Sequence, residues 1–318
     1  MSQQSAFEYL RHGQAPFFRL PLCDVQAADR YHGSDVVLVG VPTDAGTTYQ
    51  PGARLAPWAL RRVSALVQSY HATAGIDVFQ TLVCRDGGNV AFPPFDRGAM
   101  RDAVQAEVAA IVRAGAVPIV VGGDHSVALP ALRAIHAAHG PVAIVHVDAH
   151  LDTSSADTWG DEFHHGTPMR HIIREGLAEA GQLYHVGIRG SWSGADDAEV
   201  TLDAGNRIFF IDEVVARGMP HLCAELRERI GRRPTYLSFD VDAIDPAFAP
   251  GTGTPVPGGL DAREALALVR GLAGVRLVGA DLCEVSPALD HADLTAHLGV
   301  AVIYEALALI AMHRVHDA

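Results

Sequence analysis

Val142-Ala143-Ile144-Val145-His146-Val147-Asp148-Ala149-His150-Leu151-Asp152 is an apolar run that ends in three potential metal ligands at alternate positions. On an extended backbone, residues two apart point the same way, so Asp148, His150 and Asp152 can converge where the strand runs out into a loop. The device recurs at Tyr236-Leu237-Ser238-Phe239-Asp240-Val241-Asp242, and Gly122-Gly123-Asp124-His125 follows a third apolar segment, Val117 to Val121. Ligands in α/β sheets gather beyond the carboxyl ends of the strands, and all of these candidates stand there.

Around these stretches the chain alternates regularly. From Asp96 the spacing predicts helix 97–114, strand 117–121, helix 126–138, strand 142–147, helix 168–180, strand 183–188, helix 196–204, strand 207–211, helix 213–229, strand 235–240, helix 261–271, strand 275–281 and helix 292–312. Upstream, Asp35 to Val41 reads as a buried strand and Thr43 to Pro57 as a Gly- and Pro-rich loop. A helix follows from Pro57 to about Tyr70, then an edge strand around Thr81 to Cys84. Residues 1–34 show no period and read as an N-terminal arm packed on the surface. The pattern predicts an α/β fold with a parallel sheet of about eight strands, helices on both faces, and one domain over residues 1–318.

The 318 residues are 49% hydrophobic and 19% charged, an ordinary globular balance. A net charge of −13 without a basic cluster argues against a nucleic-acid partner, and all 24 basic residues are Arg. Cys23, Cys84, Cys223 and Cys283 lie far apart, which speaks against a disulfide framework and a structural zinc site. The start lacks the basic and apolar regions of a signal peptide, and no apolar run approaches the ~20 residues of a membrane span, so a cytoplasmic location is expected.

His125, Asp148, His150, Asp152, Asp240 and Asp242 supply two imidazoles and four carboxylates. Oxygen donors with a minority of His nitrogens and no thiolate suit a fairly hard divalent ion such as Mn²⁺. A lone Asp at a strand end is more often a turn residue or helix cap, but six such groups behind buried strands exceed what turns require. Four carboxylates balance two divalent ions, and ions ~3.5–4 Å apart can activate a shared water at neutral pH. Asp148 and Asp240 can each bridge the pair if their strand ends face one another.

Gly122-Gly123-Asp124-His125-Ser126, Asp148-Ala149-His150-Leu151-Asp152, Ser238-Phe239-Asp240-Val241-Asp242 with Asp245-Pro246, and Gly251-Thr252-Gly253-Thr254-Pro255 with Gly258-Gly259-Leu260 resemble the ureohydrolase family of arginase and agmatinase, most closely its agmatinase branch. The resemblance runs from about Phe17 to the C-terminus and includes Pro51-Gly52-Ala53-Arg54. It implies the three-layer α/β/α arginase-like fold, two Mn²⁺ per chain, and hydrolysis of a guanidino group to urea and an amine. Carried over, one manganese is held by His125, Asp148, Asp152 and Asp240, and the other by Asp148, His150, Asp240 and Asp242. His165, in His164-His165-Gly166-Thr167-Pro168, matches the proton shuttle. His164 competes for that role, which falls to His165 because it directly precedes Gly166. Glu284, in Asp281-Leu282-Cys283-Glu284-Val285-Ser286-Pro287, matches the guanidinium clamp.

These roles make chemical sense. A carboxylate such as Glu284 can accept the planar N–H fork of a guanidinium. An imidazole such as His165 can protonate a leaving amine, and Asp152 can hold the proton of the attacking water. The expected partners are a small guanidino substrate and further copies of the chain, as a trimer or hexamer. Agmatine, giving putrescine, is the first candidate. The loop Thr153 to Phe163 carries Asp157, Asp161 and Glu162 with no Arg, an acidic rim that repels a substrate carboxylate. Trp159 offers a surface on which a short guanidine could stack. The alternatives within the class are 4-guanidinobutanoate, 3-guanidinopropionate, arginine and guanidine. Outside it stand a metal-dependent deacetylase, for which one ion would serve, and a non-catalytic metal-binding paralogue.

Overall fold

In the computed structural model, which describes residues 15–317, the central segments too apolar to face water on either side pair side by side, with more polar strands toward the edges. The strands are β1 Val36–Gly40, β2 Cys84–Asn89, β3 Val117–Val121, β4 Val142–Val147, β5 Ala178–Ile188, β6 Arg207–Phe210, β7 Pro234–Asp240 and β8 Arg276–Cys283. All pair in parallel, in the order β2-β1-β3-β8-β7-β4-β5-β6. The order explains the site. Strands β3, β8, β7 and β4 are adjacent at the centre of the sheet, and their register sets Val121, Leu282, Phe239 and Val147 in one row. The residues that follow each of these therefore leave the sheet at one level.

Side chains alternate between two layers of helices. Val37, Val120 and Ile144 pack with helices Arg97–Arg113, Ala128–His139 and Pro168–Arg174 on one face. Leu38, Val121 and Val145 pack with helices Ala56–Ser64, Met219–Ile230, Ala262–Gly271 and Leu294–Asp317 on the other. The result is a three-layer α/β/α arrangement.

Several expected boundaries move. The helix expected over 168–180 stops at Arg174, and Gly176, at φ 67°, turns the chain into β5. That over 213–229 breaks into Ile211–Arg217 and Met219–Ile230 at Gly218, at φ 76°, with Pro220 in the first turn of the second helix. The helix from Pro57 ends at Ser64, and Tyr70–His71 pairs with Ile76–Asp77 in a short antiparallel ribbon. Val78–Thr81 is a helical turn capped by Asp77, and the edge strand begins only at Cys84.

Residues 1–14 of the expected arm lie outside the described residues, but its continuation is not surface-packed. Phe17, Phe18 and Leu20 are fully buried, and Phe18 sits 5.7 Å from Phe79 and 6.2 Å from Tyr304, ring to ring. The segment lacks a period because it is a single 3-10 turn, anchored by Phe17 N–H donating to Asp86 and Phe18 N–H to Ser64. The C-terminal helix corrects a second expectation. Leu294–His316 is long and apolar enough to cross a membrane, its most apolar 18-residue window reaching mean hydropathy 1.8, yet 78% of that window is buried inside the protein. It packs against helices Ala56–Ser64 and Ala262–Gly271 and against β8, so contacts with several elements account for its apolarity.

Gly123 joins three of these parts. Its N–H donates to Val41, its carbonyl accepts from Glu284, and a Cβ placed on it would lie 1.6 Å from the Thr43 carbonyl oxygen. Gly123→Ala is expected to cost at least the ~1–3 kcal/mol of an overpacked site. It should lower the melting temperature, and a variant that melts with the native protein would show that the loop after β1 yields.

Candidate metal centre

Beyond the row of four strand ends, all six predicted ligands come together. His125 opens the 3-10 turn His125–Val127, capped by Asp124, and directs Nδ1 inward. That atom lies 3.1 Å from Asp148 Oδ2, 3.0 Å from Asp152 Oδ2 and 3.3 Å from Asp240 Oδ2. Its other nitrogen is 2.9 Å from Ser238 Oγ, which in turn donates to Asp281. The arrangement places the ring proton on Nε2 and leaves the Nδ1 lone pair for a cation. His150 Nδ1 stands 3.4 Å from Asp148 Oδ1 and 3.0 Å from Asp242 Oδ2. Asp148 thus spans the two imidazoles. Asp240, at the end of β7, holds the Asp242 N–H on its other oxygen.

The arrangement is short of positive charge. Burial, with Asp242 and Asp148 close by, pushes Asp240 well above the usual carboxylate range. Asp152 Oδ2 and Glu284 Oε2 are buried without a hydrogen bond. Both residues also adopt left-handed backbone, φ 54° and 65°, an uncommon conformation for a non-glycine. Asp152 is held in it by the N–H groups of Met169 and Arg170 on its carbonyl. Crowded carboxylates, inward lone pairs and an unsatisfied oxygen fit a hard divalent cation, and the donor set contains no thiolate.

His165 Nδ1 lies 2.9 Å from Glu284 Oε1, and its Nε2 meets the N–H and hydroxyl of Thr48 at 3.2 and 2.8 Å. Burial lowers the pKa of His165, but the Glu284 carboxylate outweighs it and pushes the ring up to about 9. Glu284 also accepts the His125 N–H on Oε1, so it offers one free oxygen where the fork expected from the sequence uses two. His164 Nδ1 accepts the Gly166 N–H, and burial together with His165 holds the ring below its ordinary value. The two histidines line the same cavity, and only His165 is paired to Glu284.

The cavity, of about 200 Å³, has His125, Asp152 and Asp240 among its inner residues and Trp159 and Trp192 among its outer ones. The acidic rim expected from Thr153 to Phe163 is not its wall. Asp161 is ion-paired with Arg97, and neither Asp157 nor Glu162 is among the lining residues. Asp197 lines the cavity instead. It is 5% exposed, its Oδ2 accepts the Ser193 N–H, and its Oδ1 has no partner. Sequence reasoning missed it because nothing in Ala195-Asp196-Asp197-Ala198 distinguishes an inward carboxylate from a solvated helix start. It also missed His146, although its position two before Asp148 was the available signal. His146 Nε2 lies 2.9 Å from Asp148 Oδ2.

The family model described as Arginase family matches residues 34–309. Proclavaminate amidinohydrolase of Streptomyces clavuligerus is 42% identical over 298 residues, 93% of either chain. Its solved structure superposes at TM-score 0.88, covering 94% of this chain and 97% of that one. Mitochondrial agmatinase of Gallus gallus is 40% identical over 87% of this chain and 82% of its own. Guanidinobutyrase of Pseudomonas aeruginosa is 38% identical over 94% of this chain and 92% of its own.

A cluster short of positive charge should be stabilised by the ion it binds. A ligand at about 100 times its Kd adds roughly 2.7 kcal/mol to a fold that alone binds it. Treatment with a chelator is therefore expected to lower the melting temperature and Mn²⁺ to restore it. A melting temperature indifferent to both would contradict metal binding here.

Proposed function

This chain belongs to the arginase family, whose hydrolases act on guanidino C–N bonds, and from that premise we propose that it is a two-manganese amidinohydrolase converting agmatine to urea and putrescine. The family alone leaves the far end of the substrate open, since agmatinase and guanidinobutyrase stand at similar identity. The observation that carries the choice is the cavity wall. Among the described residues, no Arg lines the cavity, and the chain has no Lys. The two buried arginines beside it are committed: Arg170 donates to the Thr153 carbonyl and Asp196, and Arg189 to the carbonyls of Gly187, Asp242, Ala243 and Val256. The unpartnered Asp197 oxygen remains, and a substrate ammonium satisfies it where a carboxylate would be repelled. Ser191, Ser193 and Ser154 also line the cavity and give a guanidino acid its best alternative anchor.

In this reading His125, Asp148, Asp152 and Asp240 hold one ion, and Asp148, His150, Asp240 and Asp242 the other. The ions supply, when bound, a water acidic enough to attack at neutral pH. Asp152 orients that water and takes its proton. The free Glu284 oxygen accepts a guanidinium N–H and sets the guanidine carbon toward the attack. His165 delivers a proton to the departing amine nitrogen. The Glu284 carboxylate, which raises the His165 pKa, keeps the ring charged with the proton it is to give.

Elemental analysis should find close to two Mn²⁺ per chain. Asp148→Ala and Asp240→Ala are expected to lose both ions and Asp242→Ala mainly one. One ion in the native protein, or zinc kept through manganese loading, would refute the two-manganese assignment.

Urea release from agmatine, 4-guanidinobutanoate, 3-guanidinopropionate, arginine and guanidine tests the substrate, with agmatine expected to lead. Asp197→Asn removes a charged hydrogen bond of ~1.5–3 kcal/mol. It should lower kcat/KM for agmatine roughly 10–150-fold while sparing 4-guanidinobutanoate. A guanidino acid preferred tenfold by the native enzyme would reject agmatine but keep the reaction class, and urea from none would reject both.

A further inference from the structure

Two buried histidines take no part in the roles above. His146 on β4 and His185 on β5 are fully buried and face each other in register across the two strands. His146 Nε2 lies 2.9 Å from Asp148 Oδ2, His146 Nδ1 lies 2.8 Å from His185 Nδ1, and His185 Nε2 lies 2.8 Å from the Thr201 hydroxyl. The rings meet edge to face, at 82°. We propose that His146 and His185 are positioning residues, a chain of hydrogen bonds from Thr201 that fixes the carboxylate of Asp148. The inference rests on the reading of Asp148 as the ligand shared by two ions.

The order of protons follows from the last link. An ionised carboxylate only accepts, so His146 Nε2 carries a proton and donates it to Asp148. With both rings neutral, His146 Nδ1 is then an acceptor, His185 Nδ1–H donates to it, and His185 Nε2 accepts the Thr201 hydroxyl. Every ring nitrogen has one partner of the right kind. A packing role alone does not call for this. Val142 and Ile144 fill the same face of β4 with aliphatic side chains, whereas two buried imidazoles cost desolvation unless each nitrogen is bonded. Direct ligation by His146 is the competing role, because its ring is close to the group formed by His125, Asp148 and Asp152. Its Nε2 is, however, already committed to Asp148. Thr201 lies in helix Asp196–Asp203, which also carries Asp197, so one element supports both the shared ligand and the cavity wall.

Outer partners of metal ligands are worth about 10–100-fold in metal affinity. The test is competition of the full-length protein with a fluorescent chelator for Mn²⁺, alongside thermal melting of the metal-free forms. His146→Leu and His185→Leu remove the donors and are expected to weaken Mn²⁺ binding about 10–100-fold. His146→Gln and His185→Asn place an amide N–H where the donating ring nitrogen stood and should stay close to native affinity. Should the Leu variants fail to fold, His146→Asn and His185→Gln, whose amides reach the wrong ring position, replace them with the same expected loss. Native-like affinity in the donor-removing variants overturns the proposal, as does equal loss in the donor-keeping ones, the result expected of packing or of ligation by His146. A native protein that takes up no Mn²⁺ overturns the two-ion reading and this proposal with it, whereas native uptake with indifferent variants overturns this proposal alone.

Discussion

Four carboxylates held around two imidazoles, nearly all shut away from water, cannot keep their charges unaided, and much of the molecule can be understood as the means of forcing them together. Asp240, pushed toward its protonated form by burial, Asp242 and Asp148, registers the cost directly. The forcing device is the sheet. Hydrogen-bonded register fixes the relative heights of β3, β8, β7 and β4, and each of the six clustered residues lies within about five residues of such a strand end. Side-chain packing alone would not hold repelling groups so closely. A cation that relieves the repulsion therefore draws on free energy that folding has already stored in the backbone.

The two left-handed residues fit the same account. Asp152 and Glu284 adopt a conformation that resists side chains, and each is held by backbone hydrogen bonding with a neighbouring segment: the Asp152 carbonyl accepts the Met169 and Arg170 N–H groups, and the Glu284 N–H donates to the Gly123 carbonyl. A glycine would relax both positions and bring no oxygen. The His165 pair shows a related compromise, since the carboxylate that raises the ring's basicity gives up one of its own oxygens to it.

What could be read from the sequence divides along a physical line. The alternate spacing of Asp148, His150 and Asp152 behind an apolar run marked them out, and central strands buried on both faces announce themselves as apolar runs. But β4 ends at Val147 and Asp152 is left-handed, so the loop and not strand parity brings the three to the site. The edge strand Cys84–Asn89 was illegible because Cys-Arg-Asp-Gly-Gly-Asn has neither alternation nor an apolar core. Helix ends at Gly176 and Gly218 depend on single left-handed residues that a period cannot weigh. The charge of the cavity wall was misjudged for a different reason. Arg97, which pairs with Asp161, is 64 residues away, and Asp197 is turned inward by the packing of its helix. Electrostatics of that kind belongs to the tertiary structure.

The order of the strands carries a consequence for how the molecule is made. A ribosome delivers β1 to β3 and then β4 to β6 before either β7 or β8 exists, yet the last two lie between those halves. Until roughly the final quarter of the chain emerges, β3 and β4 are exposed edges with no neighbour on the inner side, the kind of surface that invites intermolecular pairing. Closing the sheet means inserting the late strands into a gap, a high-contact-order event and hence a slow one. Asp240 at the end of β7 and Asp242 just beyond it can join His125 and Asp148 only after that insertion, so a nascent chain stalled before residue 240 would present an apolar cleft in place of the cluster.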